Sequence, residues 1–89
     1  MSNSPQFLQA VDTIQHLNNK PPTDVLLKLY GLYKQAIIGD IDNSQTIKPG
    51  LLDFKGNIKW NSWNTYKGYS KYQAEIEYIK LVNILITND

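Results

Sequence analysis

Residues 23–38 read TDVLLKLYGLYKQAII, and their spacing predicts an α-helix carrying more apolar surface than one packing seam uses. At about 100° per residue, Leu26, Leu27, Tyr30, Tyr33, Lys34 and Ile37 share one face, while Val25, Leu29, Leu32 and Ala36 occupy the next. Lys28, Gly31 and Gln35 are left as a narrow solvated wedge. A bundle helix packs on its neighbours through one stripe, so the second face is expected to meet something else. Thr23 is an acceptable N-cap, Asp24 suits the positive helix end, and Gly39 stops the helix.

Working outward, three further segments carry helical spacing. Ser4-Pro5 opens the first as N-cap and first helical residue, and Phe7, Ala10, Val11, Ile14 and Leu17 follow its buried face. Asn18-Asn19 and Pro21-Pro22 close it. After a polar loop from Gly39 to Gly50, a third helix is predicted over about residues 54–66, with Gly68 as its C-terminal punctuation. Ser70-Lys71-Tyr72-Gln73 has the form of a capping box for a fourth helix, along which Ala74, Tyr78, Leu81, Val82 and Leu85 form a stripe. The expected class is all-α, an antiparallel-type bundle of four helices in one domain spanning residues 1–89.

Composition narrows the functions open to such a bundle. The chain has no cysteine, which removes disulfides, thiolate metal sites and a thiol nucleophile. His16 is the single histidine and points away from the apolar stripe, as a surface residue does. All nine basic residues are lysine and the net charge is only +1, which disfavours nucleic acid as a partner. Carboxylates are sparse, and Glu75 and Glu77 fall on different helix faces, so no pair is placed for acid–base work. Neither a phosphate-binding glycine loop nor a nucleophile with its base occurs, so no catalytic residue is assigned. The first twenty residues lack a secretory pattern and the apolar runs are short; the expected location is cytoplasmic, with no stable membrane insertion.

The chemistry therefore has to come from lysines among aromatic rings. Lys34 sits in the sequence pattern between Tyr30 and Leu27, where it either snorkels to water or marks an anion site with aromatic walls. Two tyrosine hydroxyls beside a lysine suit a phosphate, and a flat ring suits a purine base. Trp60, Trp63 and Tyr66 share one side of the third helix with Lys59 at its edge; two tryptophans at i, i+3 read first as core. A second function class stays open, a helical protein-interaction module that docks a partner helix on the extra apolar face of the second helix.

Several strings in order resemble the acyl-CoA-binding protein family. They are Tyr30 with Tyr33-Lys34-Gln35-Ala36 and Gly39-Asp40-Ile41, then Pro49-Gly50 and Leu52-Asp53-Phe54-Lys55-Gly56. Lys59-Trp60, Trp63-Asn64, Lys67-Gly68 and Ser70 complete the series. The resemblance runs from about residue 7 to 85. It implies an up-down-down-up four-helix bundle and a stoichiometric carrier of fatty acyl-CoA, with no catalysis, cofactor or metal. By position, Tyr30, Lys34 and Lys59 would contact the 3′-phosphate of the CoA head group, and Tyr33 would flank adenine and ribose. Tyr78 would close the head-group site, with Val11, Leu26 and Leu27 as apolar wall. Long-chain acyl-CoA is the implied partner, held by a monomer that meets acyl-CoA-using enzymes transiently. Two positions depart from the family pattern: Gln15 stands where many members carry lysine, and the loop 42–48 is longer than in common animal members. Lys48 or the loop backbone is the candidate to compensate for Gln15.

Overall fold

The structure, a computed structural model, describes residues 3–42 and 48–89. It contains four α-helices: α1 (Pro5–Thr13), α2 (Thr23–Ile37), α3 (Phe54–Asn64) and α4 (Lys71–Thr87). A single 3-10 turn, Ile14–His16, extends α1 before the backbone becomes extended at Leu17. The four helices form an up-down-down-up bundle, with α2 packed on both α3 and α4, and α1 laid against α4. None of these helices is long and apolar enough to cross a membrane.

Local chemistry sets most of the boundaries. The Ser4 hydroxyl accepts from the Phe7 amide at 3.1 Å, and Ser70 does the same for Gln73 at 3.0 Å, satisfying donors that a helix start leaves open. Asp53 caps α3 by accepting from Gly56 N at 2.9 Å. Gly39 and Gly68 have φ of 96° and 97°, a left-handed conformation that a Cβ disfavours, and they end the helical runs before them. Two expectations are corrected. The N-cap of α2 is Pro22, with no side-chain bond, and Thr23 is already helical. The capping box of α4 is half made, because the Gln73 amide donates forward to Glu77 Oε1 at 3.1 Å.

The core is built from Phe7, Ala10, Leu29, Leu32, Ala36, Ala74, Tyr78 and Val82, drawn from α1, α2 and α4. The solvated wedge expected on α2 is wrong in two of its three members. Gly31 and Gln35 are buried and only Lys28 is exposed. At Gly31 a Cβ would stand 2.2 Å from the Ser62 carbonyl oxygen, so the missing side chain is what lets α2 and α3 approach. Gln35, fully buried, donates through Nε2 to Asp40 Oδ1 at 2.7 Å and to the Tyr69 carbonyl at 2.8 Å. Asp40 also accepts from Gly68 N at 2.8 Å, so one amide and one carboxylate join the end of α2 to the α3–α4 connection. These bonds, that from Gly68 first, hold the Asp40 carboxyl below its usual value.

The chain ends are tied by the same economy of polar groups. Glu75, buried on α4, accepts from Asn3 Nδ2 at 2.7 Å and Ser4 N at 3.1 Å, which fastens the start of α1. The Asp89 carboxylate accepts from the amides of Asn18 and Asn19, both at 2.9 Å, and so closes the α1–α2 connection onto the end of α4.

Candidate functional site

The helix arrangement decides how much of α2 is left for a ligand. Because α2 serves both α3 and α4, most of its second apolar face is consumed by helix packing. The part that remains free is narrower than the spacing implied: Leu26, Leu29, Tyr30 and Tyr33, at i, i+3, i+4 and i+7, line an open depression of about 270 Å³. Val11, Ile14 and Gln15 from the α1 end and Tyr78 from α4 complete it.

Five sequence-predicted residues, Val11, Leu26, Tyr30, Tyr33 and Tyr78, are thus brought to one surface. Leu27 is not; it faces α3 and lines a separate depression of about 250 Å³ with Asp24, Lys28, Ser62, Thr65 and Tyr66. Ile14 and Leu29 edge the first depression as well as serving the core, where Leu29 is buried and Ile14 packs against the buried cluster. The regular series through Leu26 and Tyr33 was the signal that could have placed Leu29 there.

Aromatic packing fixes the floor. Phe7, wholly buried, stacks on Tyr33 at 6.2 Å between centroids and meets Tyr78 edge-on at 5.1 Å. Tyr33 and Tyr78 stand 6.5 Å apart. Three helices therefore hold the two phenols in one cluster, with Tyr33 partly exposed and Tyr78 almost entirely enclosed. Burial, and secondarily the neighbouring Tyr33, pushes the Tyr78 hydroxyl up to about 12. Tyr78 is therefore a neutral phenol well into the alkaline range, where an ordinary tyrosine would already ionise.

That shift has a measurable consequence. The folded-state value lies above the unfolded value near 10.0, so the stability held in the neutral phenol is complete below pH 10 and is lost as pH rises toward 12. Tyr78→Phe is expected to remove this component, on the order of 2 kcal/mol, from the alkaline fall in stability. Urea unfolding of both proteins at pH 8 and at about pH 11 checks it; an identical alkaline loss in the variant would contradict the assignment.

The lysines approach rings, not carboxylates. Lys34 Nζ lies 5.0 Å from the Trp63 ring centroid, and Lys59 Nζ lies 5.6 Å from that of Tyr30. Each is a cation–π distance. The ion pairs found among the described residues, His16–Asp12 and Lys80–Glu77, are elsewhere. Neither Lys34 nor Lys59 is in an ion pair among the described residues; Lys59 stands over a wall residue of the depression and Lys34 is next in the chain to Tyr33.

The tryptophans divide. Trp63 is buried and donates from Nε1 to the Gly39 carbonyl at 2.9 Å, as a residue that fixes α3 should. Trp60 is half-buried under Lys48, whose Nζ lies 5.2 Å from the ring, and its indole N–H has no hydrogen-bond partner among the described residues. Trp60 is thus not a plain core residue as the spacing implied. Gln15 is exposed at the rim of the first depression. Of the loop expected to compensate for it, residues 43–47 lie outside the described residues. Among the described residues, no group of His, Cys, Asp or Glu could hold a metal ion.

Residues 4–82 match the family model described as "Acyl CoA binding protein". The chain belongs to the acyl-CoA-binding protein family. Among its relatives in this family, an acyl-CoA-binding protein homolog of Drosophila melanogaster is 47% identical over 83 residues, covering 93% of both chains. The acyl-CoA-binding protein of Saccharomyces cerevisiae is 46% identical over 80 residues, 90% of this chain and 88% of the relative. Acyl-CoA-binding protein 2 of Oryza sativa has the same fold in its crystal structure. Its TM-score is 0.85 at 32% identity, covering 93% of this chain and 89% of that one. The solution structure of the yeast acyl coenzyme A binding protein gives 0.73 at 45% identity, covering 96% and 95%.

Proposed function

We propose that this chain is an intracellular, non-enzymatic carrier and buffer of medium- to long-chain fatty acyl-CoA thioesters. The observation that carries the proposal is the tyrosine-lined depression between α1, α2 and α4, with Lys59 over its wall residue Tyr30 and Lys34 next in the helix to Tyr33, neither of them in an ion pair among the described residues. In this assignment Lys34, Lys59 and the Tyr30 hydroxyl hold the 3′-phosphate, and Tyr33 flanks adenine and ribose. Tyr78 closes the site as a neutral donor over the apolar wall of Val11 and Leu26. Leu27, which the resemblance put in the same wall, lies on the α3 side of the helix and has no part in it.

Magnitudes support a division of labour. The depression, about 270 Å³, lies just below the range of roughly 300–1,000 Å³ typical of sites that enclose a drug-sized ligand. It suits the nucleotide end, and the chain must find cover elsewhere. Full burial of a sixteen-carbon chain would contribute up to about 12 kcal/mol, reduced substantially by incomplete cover and by ordering the chain. A lysine–phosphate contact adds about 1.5–3 kcal/mol and fixes orientation. Head-group contacts then select thioesters of CoA, and chain contacts select length.

The proposal extends to one cytoplasmic domain over residues 1–89 that acts as a monomer and meets acyl-CoA-using enzymes transiently. Calorimetric titration tests its core. Tight binding is expected for palmitoyl-CoA, weak binding for CoA, and negligible heat for palmitate. Equal affinity for palmitate and palmitoyl-CoA would overturn it.

A further inference from the structure

Three lysines rest on aromatic rings along one side of the α2–α3 seam. Lys59 Nζ of α3 lies 5.6 Å from the Tyr30 ring centroid on α2, and Lys34 Nζ of α2 lies 5.0 Å from that of Trp63 on α3. The third, Lys48, comes from the connection between these helices, and its Nζ lies 5.2 Å from the Trp60 ring centroid. Residues 59, 63 and 60 follow one another around a single side of α3, within an arc of roughly 100°. Trp60 and Trp63 are separated by about 4.5 Å of helix rise, so the ring under Lys48 stands nearly one turn from the ring under Lys34. Lys48 is exposed and, like the other two, is in no ion pair among the described residues. The first carboxylate after it in the chain, Asp53, is occupied as the α3 cap. A ring face holds an ammonium in place without neutralising it.

We propose that Lys48, held over Trp60, contacts the 5′-diphosphate of the CoA head group; the inference rests on the carrier reading above. That reading gives the 3′-phosphate two lysines and the Tyr30 hydroxyl, but it gives the diphosphate no cation. Both anionic groups hang on one ribose, so the cation for the second must stand close to Lys34 and Lys59. Lys48 is the third lysine of that row, with its ammonium already positioned. Lys67, past the end of α3, acts on the Asp40 carboxylate instead, and the α1 rim of the depression offers only the neutral Gln15. A lysine meets a phosphate as a point charge and needs no fixed fork, so a side chain resting on a ring suffices. A lysine that merely covers a half-buried tryptophan accounts for one ring contact. It does not account for three in a row beside one tyrosine-lined depression. In this role Trp60 is a positioning residue, which sets where the Lys48 charge stands.

Calorimetric titration of the full chain with palmitoyl-CoA and with its 3′-dephospho analogue tests the proposal. At low salt Lys48→Ala is expected to weaken palmitoyl-CoA binding about fivefold, the upper worth of an exposed charge pair. Lys48→Glu is expected to cost roughly twentyfold, since repulsion replaces attraction, and added salt shrinks both losses. The dephospho analogue keeps the diphosphate, so the Lys48→Ala loss is expected to be the same on both ligands. Lys48→Arg keeps the charge and the ring contact and is expected to bind as wild type does. Lys71→Glu, at the start of α4 and away from the seam, is expected to change neither affinity. Urea midpoints of the Lys48 variants are expected to match wild type, because the side chain is exposed. Less than a twofold change in Lys48→Ala overturns the proposal. So does a loss that vanishes on the dephospho analogue, which would give Lys48 to the 3′-phosphate, or an equal loss in Lys71→Glu, which would make the effect one of net charge. Tight palmitoyl-CoA binding by wild type with unaffected Lys48 variants overturns this inference alone, whereas no binding by wild type overturns the carrier reading with it.

Discussion

Lys34→Ala is expected to weaken palmitoyl-CoA binding by more than tenfold while leaving the fold in place. The stem of Lys34 is half-buried and its ammonium rests on the Trp63 ring, a cation–π contact worth about 0.5–1 kcal/mol at a partly exposed site. Losing that much does not threaten a domain of ordinary stability. The charge-assisted bond to a phosphate is larger, at about 1.5–3 kcal/mol, which converts to a factor of roughly ten to a hundred and fifty in affinity. Calorimetry beside urea unfolding separates the two effects. An affinity within twofold of wild type would remove Lys34 from the site, and a collapsed unfolding midpoint would make it structural. Lys59, exposed over Tyr30, is expected to matter less, since a solvated lysine gives up less on truncation.

The largest effect on stability is expected at Gly31. A Cβ there would meet the Ser62 carbonyl oxygen at 2.2 Å and the Tyr66 ring at 2.8 Å. The first of these is backbone of α3 and cannot swing aside. Gly31→Val must therefore force α2 and α3 apart, an overpacking cost of about 3 kcal/mol that outweighs any gain in helix propensity of roughly 0.5 kcal/mol. In a domain of this size the loss corresponds to about 15 °C in melting temperature. Separating the helices also moves Lys34 relative to Trp63 and Lys59 relative to Tyr30, so acyl-CoA affinity is expected to fall with it. Thermal and urea unfolding check the first effect. A variant as stable as wild type would mean that α2 and α3 do not pack through Gly31.

Local rules carried much of the fold. Ser4, Ser70, Gly39 and Gly68 act where their chemistry places them, because a cap or a left-handed glycine is decided by a few neighbouring residues. Gln35 and Gly31 were misplaced for the opposite reason. A helical wheel sorts residues by polarity and by one assumed neighbour, whereas α2 has two. Gln35 is polar yet buried because Asp40 and the Tyr69 carbonyl, five and thirty-four residues away, meet its amide. Nothing in the spacing of α2 encodes the position of residue 69.

The site was legible to a similar depth. Tyr30 and Tyr33 could be grouped from their own helix, and the family resemblance brought Val11 and Tyr78 to them. Leu27 separated from the group because one helical step, about 100°, turns it from the α1 side toward α3. Ion pairs and rings belong to the tertiary level as well. That Lys34 would rest on Trp63, and Lys59 on Tyr30, follows from α2 lying against α3 and from no feature of either segment alone.

The central claim is that Lys34 and its tyrosine neighbours hold the 3′-phosphate of the CoA head group. It is tested most directly by titrating wild type and Lys34→Ala with palmitoyl-CoA and with its 3′-dephospho analogue. Wild type is expected to lose more than tenfold in affinity when the phosphate is absent, while Lys34→Ala, having already lost the contact, loses far less. An equal loss in both proteins would contradict the account, because the phosphate and Lys34 would then act independently.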